Sequence, residues 1–253
     1  MRAIYLLFAG VAYAIFFAAF LYLIAFVGDL PFVPTTVDHG LAAAPLPALV
    51  VDIALIALFG IQHSVMARRG FKEAWTKIVP PALERSVFVL AASLVLIVIF
   101  ALWHPIAGEV WRVTNPIAAG VLWALFAAGW VIALLSTFLL NHFELFGLTQ
   151  VYRNWRGTSA VDPRFRQPLF YKLVRHPLYA GFLLSFWAIP VMTFGHALFA
   201  IGMSVYVLVA IRYEERDLVA LFGPDYAAYQ ASTGMLVPGV GRRAKGALLT
   251  PQE

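Results

Sequence analysis

Long apolar runs separated by short polar stretches organise this 253-residue chain. The first run, roughly 3 to 27, is too long for a signal-peptide core and lacks a small-residue cleavage site, so it reads as a retained membrane helix. A proline-rich connection without Lys or Arg follows. Further runs at about 48–67, 86–103 and 117–140 are each long enough to cross a bilayer. Two shorter runs, 177–193 and 197–211, are parted by Gly195 and His196 and predict a tight helical hairpin. The segment from Arg212 is polar and amphipathic, and the tail from Gly239 has the composition of a flexible segment. This pattern predicts an all-α fold: a polytopic integral membrane helical bundle of about five to six transmembrane segments, with a C-terminal helical hairpin and an amphipathic tail. It reads as one membrane domain, with a four-span part over 3–140, a C-terminal half over 141–232 and a flexible end over 239–253.

Composition supports that reading. The chain is 62% hydrophobic and 12% charged, against about 25% charged in a soluble domain. The absence of cysteine excludes disulfides, thiolate metal sites and cysteine nucleophiles. A net charge of +5 would suggest nucleic acid in a soluble protein, but here the placement of the bases matters more. Arg2, the loop from Arg68 to Arg85, the loop from Arg153 to Arg175 and the tail fall on one side, and Arg112 alone falls on the other. The positive-inside rule then puts the N-terminus and the basic loops in the cytoplasm. Membrane lipid is the expected surrounding, with no nucleic acid and no obligate protein partner. Trp103, Trp111 and Trp123 are expected near the outer face, and Trp75 and Trp155 in the inner loops.

Ionisable side chains collect at one depth in this topology: His63 at the inner end of the second span, His142 at the end of the fourth and His176 at the start of the fifth. Arg85, Glu144, Arg175, Glu214 and Glu215 share that level. Such groups are costly near the hydrocarbon and tend to pair or to line sites; interfacial contact with water and headgroups is the alternative. Within Val174–Gly181, Pro177 suits a first helical turn, and the helix start with Arg175 would suit a carboxylate or phosphate. An ordinary helix entry with a snorkelling arginine fits the same residues. Gly181 permits close approach by another helix or a ligand. The hairpin returns Glu214 and Glu215 to this place, where a glutamate could hold a ligand ammonium or simply form helical ion pairs. His63, His142 and Glu144 are the set from which a single metal site could be built; no metal is expected. A transporter would show internal repeats and mid-membrane breaks, and no repeat is present.

The motif Arg175-His176-Pro177-x-Tyr179-x-Gly181, the short hairpin, Glu214-Glu215 and then Phe222-Gly223 with Tyr226 and Tyr229 resemble the C-terminal half of the isoprenylcysteine carboxyl methyltransferase and phospholipid methyltransferase superfamily. Gln62-His63-Ser64-x-Met66-Ala67-Arg68 with Glu84-Arg85 is similar to its NnrU-like branch, and Asn141 to Gln150 resembles a loop of the bacterial methanethiol S-methyltransferases. The resemblance covers most of 61–229. It implies a bacterial inner-membrane enzyme that carries a methyl group from S-adenosylmethionine to a small volatile thiol, methanethiol, giving dimethyl sulfide. It also implies that Arg175, His176, Tyr179, Gly181 and one or both of Glu214 and Glu215 bind the methyl donor in the C-terminal half. Displacement at a methyl group needs a thiolate, so His63 with Ser64, and His142, are candidate bases, and Arg85, always protonated, is a candidate for stabilising the anion. The alternatives are an isoprenylcysteine carboxylate or a lipid as acceptor, and a non-catalytic NnrU-like accessory or metal- or haem-binding protein.

Overall fold

The computed structural model describes residues 2–159 and 164–242. Five of its helices are long and apolar enough to cross a membrane: α1 (Arg2–Val27), α2 (Pro45–Ala67), α4 (Glu84–Leu102), α5 (Pro116–Leu140) and α9 (Phe194–Phe222). Short helices fill the polar connections: α3 (Arg69–Trp75), α6 (His142–Leu145), α7 (Leu148–Arg156) and α10 (Pro224–Ser232). The chain is therefore a polytopic helical bundle. Large apolar side chains such as Leu7, Leu21, Ile53, Val121 and Leu135 stay exposed along the long helices, as a lipid-facing surface requires. The core is aromatic: Phe26, Trp103, Trp130, Phe186 and Phe199 are all buried and meet largely edge to face, as quadrupolar rings prefer.

The expected hairpin takes a different form. Its first arm, α8 (Pro177–Trp187), has 11 residues, roughly 16 Å of helix against the ~30 Å of a hydrocarbon core. Pro190 ends the helical path, because its ring and missing N–H cannot continue the ladder. The chain then runs as β2 (Val191–Thr193), antiparallel to β1 (Glu109–Arg112), with Trp111 opposite Met192. Gly195 and His196 do not separate two arms. They lie in the first turn of α9, which Thr193 caps by accepting the His196 N–H at 3.0 Å. The second arm is a 29-residue helix that continues beyond Ile211 and carries Glu214 and Glu215 on its last turns.

A half-length α8 cannot hold itself in the bundle by area alone; it lies along α5 at very short range. A Cβ on Gly181 would stand 2.5 Å from the Gly129 carbonyl and 2.7 Å from the Ala133 nitrogen. Only glycine allows that approach, and Ser185 adds a 3.0 Å hydrogen bond to the Phe126 carbonyl. At the other end of α9, Gly223 turns with φ +54°, a conformation open to glycine, and sends α10 back beside α9. Residues 239–242 also fold back, where the Gly241 carbonyl accepts from Arg175 at 3.2 Å. The flexible end expected from Gly239 starts within these described residues, and the rest of it, residues 243–253, lies outside the described residues.

Candidate functional site

The segment leading into α8 is held from behind by α10 and the residues after it. Arg175 N–H donates to the Gly234 carbonyl at 2.9 Å and His176 N–H to the Met235 carbonyl at 3.1 Å, while the Tyr229 hydroxyl reaches the carbonyls of Tyr171 and Val174. The Arg175 side chain is buried and ion-paired with Glu215, Nε to Oε1 at 2.6 Å. Its Nη1 donates to the carbonyls of Gln230 (3.2 Å) and Thr233, and its Nη2 to Gly241. Glu215 also meets His176 Nε2 at 3.2 Å and accepts from Gln230 Nε2 at 2.9 Å. Of the two glutamates expected to hold a ligand ammonium or to form ion pairs, Glu215 is paired with Arg175, the residue expected to suit a ligand carboxylate. A buried guanidinium and a buried carboxylate are each too costly to leave unpaired, and the fold supplies the partner.

Glu214 differs from its neighbour. Its side chain is 45% exposed, with Oε2 4.0 Å from His176 Nδ1. Arg85, Tyr171, Tyr179, Tyr206 and Tyr226 all lie within electrostatic reach of this carboxylate. Burial, then the charges of Glu215 and Glu214, push the Tyr226 hydroxyl well above its ordinary value. Burial, then Glu214, does the same to Tyr171. Both therefore stay protonated. The buried Tyr226 hydroxyl has no hydrogen-bond partner among the described residues.

His63 joins this cluster through aromatic rings. It lies 5.2 Å from Phe59, 4.7 Å from Phe88 and 6.0 Å from Tyr206, between centroids. Its Nδ1 is buried without a partner among the described residues. Arg85 stands over Phe88 at 5.0 Å and donates Nε to the Leu145 carbonyl at 2.6 Å, so the histidine and the guanidinium contact the same ring. Ser64 follows His63 on α2, its carbonyl accepting from Arg68 Nε at 3.2 Å.

His142 stands elsewhere. Both of its nitrogens are in use, Nε2 with the Tyr13 hydroxyl at 2.8 Å and Nδ1 with Thr137 Oγ1 at 2.7 Å, and its ring stacks on Phe138 at 4.0 Å. Burial lowers its proton affinity, so it is a neutral residue fixing the end of α5 to α1, and not a free base. Glu144 is likewise occupied by Asn141 and Arg153. The set of His63, His142 and Glu144 is not assembled, and among the described residues no three His, Asp or Glu side chains converge for a metal ion. Gly181 serves the α5–α8 contact, since the place of its missing Cβ is filled by α5.

Reading the chain alone missed Tyr171, Tyr206 and Gln230. Gln230 follows the tyrosine pair Tyr226 and Tyr229 on α10, a polar residue next to that face and a usable signal. Tyr206 lies roughly two turns before Glu214 on α9, in a run otherwise apolar enough to hide it.

The arrangement offers a half-open carboxylate ringed by tyrosines, a cation beside it and an unpartnered imidazole nitrogen within an aromatic box. That is a place for a cationic ligand next to a small apolar one. No family model matches the chain, and no solved structure matches it. Curated relatives do. The methanethiol S-methyltransferase of Mycobacterium tuberculosis is 48% identical over 237 residues, 94% of this chain and 97% of that protein. The enzyme of that name from Pseudomonas deceptionensis is 50% identical over 210 residues, 83% of this chain and 80% of its own. Nurim of Xenopus laevis is 27% identical over 184 residues, 68% of this chain and 62% of its own. Near-half identity along almost the full length of the first relative shows that this chain belongs to the methanethiol S-methyltransferase family.

Proposed function

We propose that the chain transfers the methyl group of S-adenosylmethionine to methanethiol, giving dimethyl sulfide, at the cytoplasmic end of a bacterial inner-membrane bundle. The observation that carries this reading is Glu214: a carboxylate left partly open while its neighbour Glu215 is buried in ion pairs. When bound, S-adenosylmethionine supplies a methyl group on a cationic sulfur, which departs as a neutral thioether. The residues present fit that molecule. Glu214 suits its ammonium, the tyrosine faces suit a sulfonium, and the unpartnered Tyr226 hydroxyl is a donor still to be used. The N–H groups of the first turn of α8 have no partner within the helix and suit its carboxylate.

Arg175 and Glu215 act as positioning residues, fixing the start of α8 and the turn that bears Glu214. On the acceptor side, His63 Nδ1 takes the thiol proton and Arg85 stabilises the thiolate. Phe59, Phe88 and Tyr206 exclude water, which keeps the small anion reactive. The expected inner location of the N-terminus and the site rests on the Lys/Arg asymmetry between the two ends. The test is the reaction itself: purified protein in lipid, with S-adenosylmethionine and methanethiol, followed by gas chromatography of the headspace. Enzyme-dependent dimethyl sulfide that is lost in Glu214→Gln is the expected result. Folded protein that binds S-adenosylmethionine yet yields no dimethyl sulfide overturns the acceptor, and folded protein that does not bind it overturns the donor.

A further inference from the structure

A cleft of about 820 Å³ opens at the basic end, walled by α3, the start of α4, the α5–α6 corner, α7 and residues 164–166. Of the site residues it shares only Arg85. Lys72, Arg85, Arg153, Arg164 and Arg166 line it, against two acids, Glu84 and Glu144. Glu144 is already neutralised by Arg153 at 3.2 Å, so the wall is strongly positive. The cations are not all spent internally: Arg85 donates Nε to Leu145, while its two terminal nitrogens donate to nothing among the described residues. One acceptor is also unspent. Gln150 donates Nε2 to the Glu144 carbonyl at 2.9 Å, but its Oε1 is buried without a partner among the described residues.

The cleft also meets the bilayer surface. Leu140 and Leu145 form its apolar side, and Leu140 is exposed at the end of a membrane-spanning helix. On the adjoining α7, Tyr152 and Trp155 are exposed, residues that favour the headgroup level. Its volume lies in the range of a small-molecule site, well beyond what one inorganic phosphate fills. A ligand that matches must carry negative charge, offer a hydroxyl and sit at the interface with an apolar part beside Leu140.

We propose that this cleft binds the headgroup of an anionic, hydroxyl-bearing phospholipid, held as a bound lipid and not as a methyl acceptor. The arginines donate to its phosphate, and Gln150 Oε1 accepts from its hydroxyl. Anionic lipids enrich the cytoplasmic leaflet, and each Lys or Arg near it adds about 1 kcal/mol of attraction, so the site would anchor α3 and α7 beside the catalytic end.

The test uses delipidated full-length protein in neutral detergent, titrated with phosphatidylglycerol or phosphatidylcholine, with the first lipid adduct read by native mass spectrometry. Phosphatidylglycerol is expected to bind on the order of tenfold more tightly, and the Arg164→Gln/Arg166→Gln variant to lose that preference. Both arginines are exposed, so the unfolding temperature and S-adenosylmethionine binding should not move. Equal affinity for the two lipids, or an unchanged preference in the variant, overturns the proposal. Loss of S-adenosylmethionine binding in the variant overturns it by assigning the cleft to the methyl donor. Binding of inorganic phosphate without a preference for phosphatidylglycerol overturns the lipid as its source.

Discussion

The two ends of this bundle both bury charged and polar groups, but they use them differently. At the acidic end, Asp52 is fully buried in α2 and accepts the His104 backbone N–H at 3.0 Å. Trp103 donates to the Val37 carbonyl, Trp111 to Ile189, and Thr193 to Asp38. Each contact fixes a loop or the β1–β2 ribbon to a helix end. At the basic end, a similar buried set of Arg175, Glu215, His176 and Gln230 does the fixing, and a second layer is less complete: Glu214, half exposed although Tyr179 hydrogen-bonds to it, the Tyr226 hydroxyl and His63 Nδ1. Buried polarity alone therefore does not mark the site. Unspent polarity does not mark it either, since Asp52 Oδ2, His104 Nδ1 and His196 Nδ1 at the acidic end are also buried without a hydrogen-bond partner among the described residues. What sets the basic end apart is that its unspent groups lie around a half-exposed carboxylate.

That contrast is open to direct attack. Removing Arg175 should have the largest effect, because it leaves Glu215 buried without its main cation. Arg175→Ala is expected to cost about 3–5 kcal/mol, read as a large fall in the thermal unfolding midpoint together with loss of activity. Glu214→Gln should do the reverse: an unfolding midpoint close to the parent's, with S-adenosylmethionine affinity down by about tenfold to a hundredfold, the worth of a charge-assisted contact. If calorimetry found binding intact and the protein destabilised, Glu214 would belong with the scaffold and the distinction would fail. At the acidic end, Asp52→Ala leaves the His104 N–H unsatisfied and is expected to cost about 1–3 kcal/mol, with turnover per folded molecule unchanged. A fall in turnover at constant stability would show that the acidic end reaches the chemistry.

The smallest effect is a pH dependence confined to the loop after α1. Burial, helped by Asp29, raises the Asp38 carboxyl to about 6, so the folded loop holds this proton more tightly than the unfolded chain. Its contribution therefore falls as pH rises from about 4 through 6. His39 is raised by its hydrogen bond to, and the charge of, Asp29, a contribution present below the ordinary histidine value and lost as pH rises through the raised one. Both act in one direction. Amide exchange over residues 29–40, corrected for the intrinsic rate, should show more protection at about pH 5 than at about pH 8. Equal protection would separate these groups from the order of the loop.

Much of this protein was legible in its sequence because membrane insertion is a one-dimensional constraint. Runs of about 20 apolar residues fix where helices cross, and four of the five long helices sit where those runs do, while the fifth, α9, extends a run that reads as a short hairpin arm. The motif residues at 175–181 and 214–215 do come together, since a short α8 and a continuous α9 return the chain to one end. Side-chain assignment was not legible. Sequence spacing places Arg175, Glu214 and Glu215 at one level but cannot say which carboxylate points inward; helical phase and the fold-back of α10 through Gly223 turn Glu215 to the buried side and leave Glu214 open. His63 and His142 look equivalent along the chain, and only their tertiary neighbours, an aromatic box for one and Tyr13 with Thr137 for the other, tell them apart. The β1–β2 ribbon pairs residues about 80 apart, a contact whose hydrogen bonds leave no local trace. Hydrophobic pattern determined where the chain crosses the bilayer. The long-range partnering of a few polar groups, each too costly to bury alone, was decided by the tertiary structure.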